Sequence, residues 1–293
     1  MGKKSLLTIV TPTYNRAFIL NKCYDSLKGQ TNKSFIWMIV DDGSTDNTCD
    51  IVQDWIEEGI IDIQYYKKEN GGKASAINLA LDRVNTKYFV CLDSDDTFTY
   101  NSVELAIERL LKIENNNKYC GILALRTSFD EKPLGGKELP KELIEATVNE
   151  IVGKLKIRSE FICFYKTNII TEYRFPEIVG EKFISPAYIE QEIGRKYKFL
   201  VSRKKYCYCE YLADGLTKNK INIIKNNPKG YTLVKRQSFE LTDGFFIKSK
   251  NAIMYIAGSI LSNDKKFIKN SPNILITILL CPLGWLMYRI RFK

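Results

Sequence analysis

The chain has 293 residues, 45% hydrophobic and 27% charged, a globular balance that allows one large domain or a domain with an extension. It has no histidine, so proton transfer falls to Asp, Glu, Lys, Tyr or Cys, and a hard metal needs carboxylate oxygens. The net charge of +10 suits nucleic acid, anionic lipid or phosphorylated small molecules. Nucleic acid is not expected, because no motif for it accompanies the charge and aromatics do not interleave with a basic stripe.

The apolar run 6–10 reads as a buried first strand rather than a signal peptide, being short and without a small-residue cleavage site. Ile19, Leu20, Cys23, Tyr24 and Leu27 then recur at helical spacing. Strands are expected at 35–40, 61–66, 88–92 and 119–125, with helices at 49–58 and 74–84 between them. Asn101, with Glu104 three residues on, has the form of a capping box. Such alternation predicts an α/β fold, a mostly parallel sheet with helices on both faces. In such sheets ligands bind beyond the carboxyl ends of the strands, so the loops after strands one, two and four are the places to search.

Residues 127–157 are polar and irregular, with a turn at 133–136. Strand character returns at 161–165, 198–201 and 206–210. Ser185 followed by Pro186 predicts an N-cap and a proline at the first helical position. From Asn227 onward the chain reads as helical. The stretch 274–288 is almost wholly apolar but contains Pro282 and Gly284, too short and too interrupted for a spanning helix. Lysines 265, 266 and 269 precede it, and Arg289, Arg291 and Lys293 follow, a pattern that suits a segment lying in the interface of an anionic membrane. The eight cysteines have no framework spacing. Cys23, Cys49, Cys91, Cys163 and Cys281 are expected as reduced core residues, and Cys207 and Cys209 should share one strand face.

Three polar clusters follow strands. In the first, Thr11 to Asn15, Pro12 and Tyr14 lie in the loop after strand one, and the Tyr14 ring offers a surface on which a base could stack. In the second, Asp41 to Asp46, Asp42 is the stronger candidate for ligand contact, while Ser44, Thr45 and Asp46 read as helix caps. In the third, Asp93, Asp95 and Asp96 crowd three carboxylates into four residues, which is costly without a cation. A divalent metal held by one or two of them together with a diphosphate would answer that cost. Between these lie Gly71, Gly72 and Lys73 at a predicted helix start, where backbone can approach phosphate and Lys73 can pair with it. The glycine spacing is not that of a P-loop.

Taken together, TIVTPTYNR, IVDDGSTDNT, ENGGKASAINLAL and FVCLDSDD resemble, in that order, the family 2 glycosyltransferases of the GT-A fold, including bacterial capsular and surface-polysaccharide enzymes. The resemblance covers about residues 5–125. It implies a Rossmann-like GT-A sheet and an inverting transfer of a sugar from a nucleotide-sugar, a UDP-sugar by preference, to a hydroxyl. It places Pro12, Tyr14 and Asp42 at the nucleotide, and matches Asp93 and Asp95 to the family's Asp-x-Asp at ribose and metal-bound diphosphate, with Mn²⁺ or Mg²⁺ as the metal. The family's acidic base falls on Glu181, in Gly180-Glu181-Lys182-Phe183, without the familiar Glu-Asp pair; Glu177 is its nearest rival. The implied division is a nucleotide-sugar-dependent domain over 1–220 and a helical, membrane-associating extension over 221–293. The implied acceptor is a lipid-linked saccharide at the cytoplasmic face of the cell membrane. A sugar nucleotidyltransferase and a non-catalytic polysaccharide- or membrane-binding module are the alternatives; the first would favour a glycine-rich loop directly after strand one, which is absent.

Overall fold

The structure, a computed structural model, describes residues 5–209 and 220–293. Glu210, the end of the strand expected over 206–210, and the first four residues lie outside the described residues. The chain forms two compact units. Among the described residues the first comprises 5–147, 157–174 and 195–209, and the second 148–156, 175–194 and 220–293.

The first unit opens with β1 (Leu7–Thr13), α1 (Ala17–Lys28), β2 (Phe35–Asp41), α2 (Thr48–Glu58), β3 (Asp62–Lys67), α3 (Lys73–Arg83) and β4 (Tyr88–Cys91). It continues with β5 (Thr97–Phe98), α4 (Ser102–Lys112), β6 (Tyr119–Leu125), β7 (Glu145–Ala146), β8 (Phe161–Lys166), α5 (Thr167–Ile170), β9 (Lys198–Val201) and β10 (Cys207–Tyr208), with α6 (Ala187–Ile193) falling in the second unit. Eight strands form one sheet in the order β3-β2-β1-β4-β8-β6-β9-β7. The pairs β3·β2, β2·β1, β1·β4 and β6·β9 are parallel, whereas β8 runs antiparallel to both β4 and β6. The sheet is therefore largely parallel, as expected, with β8 wedged antiparallel into its middle. Close approach there requires Gly121, where a Cβ would fall 1.8 Å from the Phe164 carbonyl oxygen.

Burial follows the strand pattern. All seven residues of β2 are buried, which suits a strand covered on both faces. The core joins Leu7, Ile9, Trp37, Val90 and Phe164 from the sheet to Leu20 and Leu27 of α1 and Val103 and Leu110 of α4. Tyr24, Trp37 and Trp55 stack in series, with ring centroids 6.0 and 4.4 Å apart for Tyr24 with Trp37 and with Trp55.

Several local expectations need correction. Asn101 stands at the N-cap of α4 without a side-chain cap bond; Glu104 instead accepts from the Thr31 hydroxyl, and Gln30 caps the Val103 N–H. Pro186 is the N-cap of α6 rather than its first helical residue. All eight cysteines are free thiols, but Cys49 is exposed because it sits on the solvent side of α2. Cys207 and Cys209 do share the buried face, their sulfurs 3.7 Å apart.

The second unit contains α6, a π-helical turn at Glu150–Lys154, and α7 (Lys220–Asn226), α8 (Pro228–Leu241), α9 (Phe245–Leu261) and α10 (Ile274–Phe292). Helix α9 is its centre, buried from Met254 to Ser259 and packed against both α8 and α10. The expected break in the tail does not occur: α10 continues through Pro282 for 19 residues, long and apolar enough by length and composition to cross a membrane. Just beyond the proline, Gly284 lets α10 pack closely on α9, since a Cβ there would come within 2.5 Å of the Ile256 Cβ.

Candidate active site at the carboxyl ends of the strands

The first unit gathers six predicted residues at the carboxyl ends of β1, β2 and β4 and the start of α3. Pro12 is half-buried one residue before the end of β1, and Tyr14, just past the strand, is 48% exposed and available for stacking. The loops after β1 and β2 are clasped together. Ser44 Oγ accepts from Asn15 N at 2.9 Å, and Thr45 N donates to Asn15 Oδ1 at 2.8 Å. Asp46 receives the Thr48 N–H at the start of α2 and the Ala17 N–H at the start of α1, so of the three expected caps it is the one that serves a helix start, and it serves two.

Asp41 and Asp42 divide the work at the end of β2. Asp41 is fully buried and is held by Ser44 N at 2.7 Å and the Tyr65 hydroxyl at 2.5 Å. Burial, then this bond to Asp41, pushes the Tyr65 phenol far up, so it stays a donor. Asp42 faces the glycine loop. Its Oδ1 accepts from Lys68 Nζ and Gly71 N, both at 2.9 Å, and its Oδ2 from Gly72 N at 2.7 Å. The loop can wrap it because Gly72 adopts φ +90° and ψ 164°, a conformation open to glycine, and Gly71 has no Cβ to strike Ser75 Oγ. Lys68, which no sequence motif marks, bonds Asp42, Ser75 Oγ and the Glu69 carbonyl, and so ties strand end, loop and helix together.

The acidic cluster after β4 brings its own cations. Lys73 Nζ meets Asp93 Oδ1 at 2.5 Å, and Arg126, from the end of β6, reaches Asp93 Oδ2 at 3.6 Å and makes a close ion pair with Asp96. Arg126 is itself fixed by Nε donating to the Phe161 carbonyl at 3.1 Å. Burial pushes the Asp93 carboxyl up, but Lys73 and then Arg126 outweigh it and hold it down at about 2. Asp96 points into the core side of the cluster, with only 5% of its side chain exposed.

Asp95 differs from both neighbours. It has no salt bridge among the described residues, and burial together with the charge of Asp93 raises its pKa from its ordinary value. The described residues contain no group of three or more His, Cys, Asp or Glu placed to hold a metal. The donor set thus fits a hard divalent cation held by one or two carboxylates, Asp95 foremost and Asp93 beside it, with the remaining ligands coming from water and a bound diphosphate.

Glu181 belongs to the second unit. Its Oε1 accepts from Lys229 N and its Oε2 from Gly230 N, both at 2.8 Å, so it caps the first turn of α8. Asn227 returns the contact, its Oδ1 accepting from Lys182 N and Phe183 N. Gly230 permits this seat, since a Cβ there would lie 2.7 Å from the Phe183 carbonyl. Glu177 is exposed on the same segment.

This arrangement, a largely parallel sheet with a cluster of polar groups at its strand ends, is that of a GT-A enzyme. Glycosyl transferase family 2 matches residues 8–174, more than half of the chain, and the protein belongs to that family. An uncharacterized glycosyltransferase of Rickettsia prowazekii is 36% identical over 118 residues, 40% of this chain and 36% of the relative. A teichuronic acid biosynthesis glycosyltransferase of Bacillus subtilis is 36% identical over 111 residues, 37% of this chain and 43% of the relative. The matched stretch thus spans less than half the length of these relatives. Among solved structures, S. aureus TarS superimposes with a TM-score of 0.62 at 17% identity, over 98% of this chain and 53% of that one. Its 1–349 form has been solved in complex with UDP. The mannosyltransferase PcManGT of Pyrobaculum calidifontis, in complex with GDP-Man and Mn²⁺, superimposes with a TM-score of 0.59 at 16% identity, over 99% of this chain and 84% of that one. At such identities these neighbours establish the fold.

Proposed function

We propose that the protein is an inverting glycosyltransferase that moves a sugar from a nucleotide-sugar, by preference a UDP-sugar, to a hydroxyl of a lipid-linked saccharide during surface-polysaccharide assembly. The observation that carries this reading is the weak neutralisation of Asp95: Asp93 and Asp96 form ion pairs, whereas Asp95 forms none among the described residues and feels Lys73 and Arg16 only at a distance. Asp95, with Asp93 beside it, would hold a divalent cation, which would neutralise charge growing on the diphosphate leaving group. The other roles fall to the chain's own residues. Tyr14 stacks on the base, and Asp42, which holds the glycine loop by accepting from Gly71 N and Gly72 N, keeps a further lone pair on Oδ2 for the nucleotide. Lys73 supplies positive charge beside the diphosphate. Glu181 takes the proton from the attacking hydroxyl; two backbone bonds leave each carboxylate oxygen a further lone pair for it. Direct displacement with one base inverts the anomeric centre.

UDP is preferred because the UDP complex of TarS shares the fold, and surface polysaccharide because the teichuronic acid relative is 36% identical over 111 residues. The catalytic domain over 1–220, the extension over 221–293 and attachment to the cytoplasmic face of the membrane belong to the same reading, the last resting on the apolar α10 and its basic flanks. The test is release of nucleoside diphosphate from a panel of UDP- and GDP-sugars with Mn²⁺, Mg²⁺ or EDTA. Slow, metal-dependent release from one donor is expected; pyrophosphate released from a nucleoside triphosphate instead would transfer the reading to a nucleotidyltransferase.

A further inference from the structure

Helix α10 has two faces of different character. Thr277, Gly284 and Phe292 are buried, and Ile276, Leu280, Met287 and Tyr288 pack with the residues of α8 and α9. The opposite face carries Leu275, Ile278, Leu279, Leu283, Leu286 and Ile290, each 48–80% exposed. At 100° per residue these six fall within one stripe along the whole helix, about 28 Å long at 1.5 Å per residue. Trp285 borders the stripe, with the Arg289 guanidinium 5.4 Å over its ring, the pairing of an amphipathic ring and a cation found at a headgroup layer.

The direction of α10 is set by the segment before it, which runs back along α9. Tyr255 donates to the Phe267 carbonyl, and Arg236 of α8 to the Asn270 carbonyl. Gly284 then meets Ile256, and Phe292 meets Tyr231 of α8, whose ring is in turn against Gly258. Helix α10 therefore runs parallel to α9, and its first turn lies at the same end as the start of α9. There Phe245 and Phe246 are 71% and 86% exposed. From residue 244 to the end the chain has eight lysines and arginines against one acid, Asp264. The cations stand at both ends of α10, at 265, 266 and 269 and at 289, 291 and 293.

We propose that the outer face of α10, together with Phe245 and Phe246, is a two-point docking surface by which the protein lies flat on an anionic lipid bilayer. This deepens the membrane attachment proposed above and rests on it. The charge selects the occupant: a stripe of aliphatic residues ringed by cations complements acyl chains beneath anionic headgroups. The packing selects the orientation. To span alone α10 would have to leave α9, to which its inner side is fastened, and to span together with α9 would carry Lys248 and Lys250 toward the membrane interior. A helix lying flat keeps those contacts and puts both cationic ends at the same surface.

The test is co-sedimentation of the full chain with vesicles of phosphatidylcholine, with and without phosphatidylglycerol, for the native protein, for Leu279→Glu/Leu286→Glu, and for Phe245→Ser/Phe246→Ser. The second variant alters only highly exposed residues and leaves α10 intact. Binding is expected to need phosphatidylglycerol, to be stripped by alkaline carbonate, and to fall about tenfold or more in each variant. No binding to either vesicle would overturn both the docking surface and the membrane attachment. Binding that persists in both variants, or resists carbonate, would leave the attachment standing and overturn the flat docking surface. A dimer in solution that Leu279→Glu/Leu286→Glu dissociates, without vesicle binding, would assign the face to a second copy of the chain and overturn the proposal.

Discussion

Lys73 Nζ stands 2.5 Å from Asp93 Oδ1, so the lysine at the start of α3 and the first carboxylate after β4 form one unit before any ligand arrives. The pair has a pH signature. Asp93 is held at about 2 against an ordinary value of 3.8, so its stabilising share is complete above the higher value and is lost as pH falls from one to the other. Lys73→Met lifts the folded-state pKa and removes part of that share. Acid unfolding followed by circular dichroism should then begin at higher pH than in the native protein; an unchanged acid limb would mean that Arg126 alone holds Asp93.

Asp95 predicts the opposite sign. Its raised pKa means that ionised Asp95 costs the ligand-free fold free energy at neutral pH. Asp95→Asn should therefore keep or raise the melting temperature in EDTA. The same variant should lose the stabilisation that Mn²⁺ plus UDP gives the native protein. A marked fall of the melting temperature in EDTA would show that Asp95 is held by protein contacts instead.

Gly71 tests the loop around Asp42. An added Cβ would lie 2.5 Å from Ser75 Oγ and 2.9 Å from Lys68 Nζ, so Gly71→Ala must displace the lysine from Asp42 or move the loop. A cost of about 1–3 kcal/mol is expected in urea unfolding, as for other overpacked sites. Weaker nucleotide binding should accompany it, since Asp42 loses its fixed seat when Lys68 and the loop shift.

Glu181 has a structural and a chemical role that one substitution separates. Glu181→Gln retains an oxygen for one of the two α8 N–H groups, so stability should fall by about 0.5–2 kcal/mol, as for a weakened helix cap. Transfer should fall by about 10²–10⁴ in kcat, the range for losing a general base, with donor KM little changed. If Glu177→Gln gives the larger loss, the base is Glu177.

Much of this was legible in the sequence because it is local. Strands β1 to β4 and the helices between them follow the period of their apolar residues, and the acidic loops fall at strand ends where the topology opens. What periodicity cannot reveal is which distant residue a side chain meets. Arg126 reaches the acidic cluster because β8 enters antiparallel between β4 and β6, a pairing made across long sequence separation. Lys68 looked like one cation in a polar run, and its role depends on the turn of Gly71 and Gly72 around Asp42. Glu181 was visible as an acid, but its cap on α8 was not, since the segments lie 48 residues apart. In the tail, Pro282 is a sound local break signal that packing against α9 overrides.

The central claim is that Asp95 holds a cation together with a nucleoside diphosphate, and calorimetric titration of UDP into the protein tests it most directly. With Mn²⁺ present, UDP should bind, and EDTA or Asp95→Asn should each weaken binding about tenfold or more, the loss expected for one charge-assisted metal contact. No UDP binding under any condition, or binding indifferent to both metal and Asp95, would contradict the account.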